Sequence, residues 1–166
     1  MKYDPQVHQR RSIRLTEYDY SQAGAYFITI CTYNGVLFLQ SERVQAVVRS
    51  SWHDLPARFP TIALDEFTVM PNHIHGIMFL KGAASSAGTL RGAAGSAPTL
   101  GGVVRAFKSI SAIGANRILD RSGQPFWQRN YYEHIIRDED ELYALREYIR
   151  DNPLNWQADP DNPSNQ

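Results

Sequence analysis

The chain has 166 residues, 43% of them apolar and 20% charged, which excludes a disordered polypeptide and suits one domain with its own core. Its 17 basic residues balance 17 acidic ones, so overall charge gives no sign of a nucleic-acid binder, although a local basic patch stays open. The single cysteine, Cys31, leaves no internal disulfide. With no long apolar span and no signal-peptide pattern, the expectation is a cytoplasmic protein without a membrane partner.

Residues 1–24 read as a polar N-terminal arm. Arg10, Arg11 and Arg14 cluster there, as a solvated face or as contacts to a phosphate backbone. A single domain is expected over 25–156. It opens with Ala25 to Tyr33 (AYFITICTY), β-branched and aromatic, which predicts a strand. Asn34-Gly35 is a turn signal, after which Val36 to Leu39 either form a partner strand or extend the loop. Ser41 is placed to cap a helix from Glu42 to about Ala57, with Val44, Val47, Val48 and Leu55 on its apolar face and Pro60 closing it. Ile62 to Met70 reads as a second strand, Pro71-Asn72 as a turn, and His73 to Leu80 as a third strand. Asp65 and Glu66 in the second strand face the histidines or, for at least one of them, solvent.

Residues 82–101 are low in complexity: GAASSAGTLR is followed by GAAGSAPTLG, a near repeat. Such a composition cannot bury enough apolar surface to order itself and predicts a flexible insertion. Val103 to Leu119 is a helix with a buried stripe of Val104, Phe107, Ile110, Ile113 and Ile118, and it carries Arg105, Lys108 and Arg117. Phe126 to Ile136 (FWQRNYYEHII) is partly extended and then a strand. Asp138 caps a last helix running to Asp151, with Glu141 as its capping-box partner, and Pro153 ends it. Residues 157–166 form a polar tail, expected to fray. The order is βαββαβ with an appended helix. That predicts an α+β, ferredoxin-like antiparallel sheet with helices on one face and a C-terminal helix besides.

Within this frame His73 and His75 share a strand face, because side chains two apart point the same way. Two imidazoles so placed can chelate one divalent ion, although an isolated His-x-His more often has ordinary partners. Tyr148 and Asn152 lie four apart on the last helix and are surface neighbours. One is a potential nucleophile and the other an oxygen ligand. If the last helix crosses the face bearing the histidines, all four groups meet. Taken by spacing alone, Tyr148 packing on the sheet and Asn152 ending a helix is the stronger reading.

The combination of MPNHIHGIM, WQRNYYEHIIRDEDEL and REYIRDNPLNW resembles the single-tyrosine HUH transposases, and more closely the REP-associated tyrosine transposases. The resemblance runs from the YFITICT strand to Trp156. It implies a ferredoxin-like catalytic domain, a metal-binding His-hydrophobe-His at His73, Ile74 and His75, and a catalytic tyrosine at Tyr148. It also implies a polar ligand one turn later at Asn152, where relatives use Gln or a carboxylate. Tyr131 and Tyr132 are rival nucleophiles and His134 a rival ligand.

The resemblance further implies Mg²⁺ or Mn²⁺ as cofactor, single-stranded DNA beside a REP-like hairpin as partner, and a monomer or homodimer. The chemistry is then attack of the Tyr148 oxygen on a DNA phosphate, leaving a 5′-phosphotyrosine and a free 3′-OH. Trp127, Tyr131 and Tyr132 are candidates to stack on unpaired bases or to pack in the core. Arg10, Arg11, Arg14, Arg105, Lys108 and Arg129 are candidate backbone contacts. The competing expectations are a metal nuclease that uses water, a hairpin-binding module without catalysis, and a ferredoxin-like small-molecule binder.

Overall fold

The computed structural model describes residues 23–81 and 98–165. Arg10, Arg11, Arg14 and most of the Gly/Ala/Ser insertion lie outside the described residues.

Four strands form one sheet: β1 (Gly24–Cys31), β2 (Ile62–Met70), β3 (His73–Leu80) and β4 (Tyr132–Ile136), in the order β2-β3-β1-β4. Every neighbouring pair is antiparallel. The helices are α1 (Glu42–His53), a short α2 (Leu55–Arg58), α3 (Leu100–Ile118) and α4 (Glu139–Asp151). This is the βαββαβ order with an added helix.

Strand alternation divides the sheet into two faces. Tyr26, Ile28 and Ile30 of β1 and Ile74 and Met78 of β3 point one way, into the main core with Val44, Val48 and Trp52 of α1 and Val104 and Phe107 of α3. Phe27, Ile77 and Ile136 point the other way and meet Leu145 and Ile149 of α4. The two crossover helices therefore cover one face, and α4 covers the opposite one. His73 and His75 alternate with Ile74, so they project from the face that α4 covers.

A bulge in β2 fixes α4 in place. Leu64 pairs with Met78 and Phe67 with Gly76, so Asp65 and Glu66 together oppose Ile77. A bulge puts two adjacent side chains where strict alternation would allow one. Both carboxylates reach α4: Asp65 Oδ2 lies 2.6 Å from Arg146 Nη2, and Glu66 Oε1 accepts from Arg150 Nη2 and, at 2.9 Å, from its Nε. Both carboxylates are engaged by α4 arginines, so neither is a spare surface charge. The two arginines are four apart, one on each side of Tyr148.

Three boundaries differ from the sequence expectation, and one open alternative is decided. The helix from Glu42 to Ala57 breaks at Asp54, because Pro56 in the first turn of α2 has no N–H to continue α1. Of the two readings of Val36 to Leu39, the loop holds: Asn34 and Gly35 turn the chain through the left-handed region at φ 54° and 67°, and short 3-10 turns cover Tyr33–Gly35 and Phe38–Gln40. Helix α3 begins at Leu100, earlier than expected, because Thr99 Oγ1 accepts the Gly102 N–H at 3.1 Å and Leu100 is fully buried. The expected frayed tail is instead folded. A 3-10 run covers Asn152–Ala158, and Asn162 is 5% exposed. The amide of Asn162 donates to Trp156 O at 3.0 Å.

Candidate active site

The hairpin turn between β2 and β3 sets His73. Asn72, 4% exposed, directs its amide nitrogen to Asp161 O at 2.6 Å. A carbonyl accepts only from N–H, so the amide oxygen must face His73 Nδ1, 2.8 Å away. His73 Nδ1 therefore carries the proton, and His73 Nε2 presents a lone pair. That Nε2 lies 3.1 Å from His75 Nε2. The other nitrogen of His75 lies 2.7 Å from Thr29 Oγ1 on the neighbouring strand, where the two residues are paired in register. A hydroxyl both donates and accepts. With Thr29 donating, His75 Nε2–H bonds to His73. With Thr29 accepting, both Nε2 lone pairs converge on one point. Metal–imidazole bonds of about 2.0–2.1 Å place adjacent nitrogens roughly 3 Å apart, so the pair fits a divalent ion.

Burial disfavours the charged form of both rings, and the neutral imidazole is the form that ligates metal. Desolvation lowers the pKa of His75 well below the ordinary imidazole value, and the charge on His73 lowers it further. Desolvation also lowers His73, opposed by the nearby carboxylates of Asp159 and Asp161.

Tyr148 comes down onto this pair from α4. Its ring meets His75 edge-on at a centroid distance of 5.3 Å and Phe27 at 6.1 Å. Helix α4 holds that position through its N-terminus as well as its arginines. Asp138 Oδ1 accepts the Glu141 N–H at 2.8 Å, and Glu141 accepts from the Arg137 N–H at 2.8 Å and contacts His134 Nε2 at 2.6 Å. The rival ligand His134 is thus engaged by Glu141. Burial pushes the Tyr148 phenol up to about 12, and its Asn152 neighbour opposes that rise. Asn152 caps α4 and is 4% exposed, and among the described residues its amide nitrogen has no close hydrogen-bond partner.

A further group stands beside the histidines. His73, Asp159 and Asp161 each place one donor atom within 4.8 Å of the others, a His/Asp cluster able to hold a metal ion. Asn72, Thr29, Asp159 and Asp161 were not among the expected site residues. For the carboxylates the one signal was the run Asp159-Pro160-Asp161-Asn162-Pro163, rich in turn formers, just after the Asn-Pro motif.

The expected DNA contacts separate into groups. Arg105, Arg129 and Tyr131 line one cleft of about 450 Å³ at the start of α3. Lys108 lines it too, but its ammonium is committed to Gln128 O at 2.5 Å and Arg129 O at 2.9 Å, so it braces the loop before β4. Trp127 is 6% exposed, donates its indole N–H to Ser111 at 2.9 Å and packs on Phe107 and Phe126. It is a core residue with no face offered for base stacking. Tyr132 packs edge-on against Phe27 at 6.4 Å, on the α4 side of the sheet.

No protein-family profile matches the chain. An uncharacterised protein of Haemophilus influenzae is 39% identical over 176 residues, spanning 95% of this chain and 96% of its own length. The chain belongs to one family with that protein. Among solved structures, a REP-associated tyrosine transposase bound to a REP hairpin superposes with a TM-score of 0.60, at 19% identity, over 86% of this chain and 74% of its own. A candidate transposase from Deinococcus radiodurans superposes with a TM-score of 0.50, at 17% identity, over 84% of this chain and 96% of its own. The chain therefore shares its fold with these two structures, in agreement with the resemblance carried by the MPNHIHGIM and REYIRDNPLNW motifs. Among the described residues, no helix is long and apolar enough to cross a membrane.

Proposed function

We propose that the chain is a metal-dependent strand transferase acting on single-stranded DNA beside a hairpin, with Tyr148 as nucleophile and His73, His75 and Asn152 as metal ligands. The observation that carries this reading is the edge contact of Tyr148 with His75, whose Nε2 lies 3.1 Å from that of His73. A nucleophile and two converging imidazole nitrogens thus share one buried face. A bound Mg²⁺ or Mn²⁺ would polarise a phosphoryl oxygen and favour the phenolate over the phenol.

The protein's own groups do the rest. Tyr148 Oη releases its proton to solvent and bonds to phosphorus while the bond from phosphorus to the 3′ oxygen breaks. The departing oxygen takes a proton to become a 3′-OH, and the 5′ side of the break stays on the tyrosine. Reversal on another 3′-OH completes transfer without ATP, because the phosphotyrosine retains the bond energy. The partly buried phenol needs this activation, since its pKa of about 12 leaves it protonated at neutral pH. Asn152 lies one turn away, and its side-chain oxygen, turned toward the histidines, becomes a third ligand.

Hairpin DNA is the partner this reading takes from the solved neighbour that holds a REP hairpin. Arg105 and Arg129 provide the phosphate contacts, in a cleft open enough for a sugar–phosphate chain. Replacing both by Ala should weaken hairpin binding similarly for all sequences. It should also reduce the slope of log affinity against log salt by about 1 per arginine, read from titrations at several salt concentrations. An unchanged slope would move the DNA path elsewhere.

The enzyme reading is tested on a denaturing gel. Labelled single-stranded hairpins taken from palindromes flanking the gene are incubated with Mn²⁺ or Mg²⁺. A metal-dependent, heat-stable protein–DNA band supports it, cleavage without that band indicates a water-using nuclease, and tight binding without either product indicates a recognition module.

The ion pairs on α4 give a finer test. Asp65→Asn with Glu66→Gln removes pairs that are partly exposed, so stability should change little. The rate of adduct formation should fall by roughly tenfold or more, because displacing a nucleophile by even about 1 Å is costly. Equal rates in both proteins would show that apolar packing alone positions Tyr148.

A further inference from the structure

The folded C-terminal segment stands against the histidine pair. After Trp156 the chain turns back on itself. Asp159 Oδ1 accepts the Asp161 N–H at 2.7 Å, and the Asn162 N–H donates to Asp159 O at 3.0 Å. Asp161 O takes the Asn72 amide at 2.6 Å, which ties this turn to the one carrying His73.

The Asp159 side chain is only 8% exposed. One of its oxygens is used inside the turn. The other, Oδ2, makes no hydrogen bond among the described residues and points at His73 Nε2 from 3.8 Å. That distance is too long for a hydrogen bond. It suits two ligands of one cation, since bonds of roughly 2.0–2.2 Å hold neighbouring donors roughly 3–4 Å apart. Asp161 supplies another oxygen within 4.8 Å of both atoms. A buried carboxylate oxygen aimed at an imidazole lone pair is repulsive unless a cation or a proton lies between them.

We infer that Asp159 is a protein ligand of the ion bound at His73, with Asp161 adjoining it, so that the C-terminal segment completes the metal site. The inference rests on His73 and His75 being the metal-binding pair. It adds a selectivity: carboxylate oxygens favour Mn²⁺ and Mg²⁺, whereas imidazoles alone favour Ni²⁺ and Cu²⁺.

The experiment is calorimetric titration of the full chain with MnCl₂ and, separately, NiCl₂. Wild type is compared with Asp159→Asn, Asp159→Asn/Asp161→Asn and His73→Ala/His75→Ala. An asparagine at 159 still accepts the Asp161 N–H, so the turn persists, and circular dichroism checks the fold. Asp159→Asn should weaken Mn²⁺ binding at least about tenfold and Ni²⁺ binding much less, with a further loss of Mn²⁺ in the double variant. Unchanged Mn²⁺ affinity in folded Asp159→Asn, alongside loss in the histidine variant, overturns the carboxylate ligand alone. Mn²⁺ affinity unaffected in the histidine variant overturns the histidine reading and this inference with it.

Discussion

Tyr148→Phe should abolish the heat-stable protein–DNA band and lower strand cleavage by a factor on the order of 10³ or more, the scale of losing a covalent nucleophile. It should do so without disturbing the site. The phenylalanine ring keeps the edge contacts with His75 and Phe27, and Leu145 and Ile149 still seat α4 on the sheet. Metal binding and hairpin binding should therefore match wild type, and the unfolding free energy should change by less than about 1 kcal/mol. The measurement is a parallel gel and titration on both proteins. Undiminished cutting by the variant would assign attack to water. A surviving covalent band would assign it to another tyrosine, and Tyr132 would be tested next, since its ring packs on the same Phe27.

Strand and helix periodicity reached the βαββαβ order, and each strand begins within one residue of its expected start except β4, where the expected segment was already mixed. The His-x-His spacing placed both rings on one face. It did not say which face α4 covers; that follows from Phe27, Ile77 and Ile136 forming a second apolar surface, which no local period reveals. Two kinds of feature stayed illegible for physical reasons. The bulge at Asp65 and Glu66 is a relation between two strands, so alternation along one strand does not reveal that both carboxylates reach α4. The C-terminal turn is held by side chain to backbone bonds from Asn72, Asp159 and Asn162, and although the run Asp159 to Pro163 signals a turn, it does not reveal the distant partner Asn72. Trp127 shows the converse. Aromatic and near a basic residue, it suited base stacking, but Ser111 satisfies its only donor inside the core.

Gly76 joins the fold to the site, and Gly76→Ala should disturb both. A Cβ there would lie 2.5 Å from Trp52 Cζ2, 2.6 Å from Cη2 and 3.2 Å from Phe67 Cδ2. Trp52 cannot yield: it is fully buried, stacked on Phe67 at 4.7 Å and edge-on to Phe107 at 5.5 Å. The strain must therefore move β3, and Gly76 directly follows His75. Overpacking of this kind costs roughly 1–3 kcal/mol or more. Trp52→Leu alone should also destabilise, by several kcal/mol at most, because it opens a cavity. Combined with Gly76→Ala it should cost less than the sum, since the smaller side chain leaves room for the new methyl. The expected coupling is on the order of 1–3 kcal/mol, measured by urea unfolding of all four proteins. Gly76→Ala should also weaken Mn²⁺ binding while still folded, and Trp52→Leu should restore part of that affinity by letting β3 return. Strict additivity, or metal affinity indifferent to both substitutions, would mean that the close approach of β3 to α1 does not govern where His75 stands.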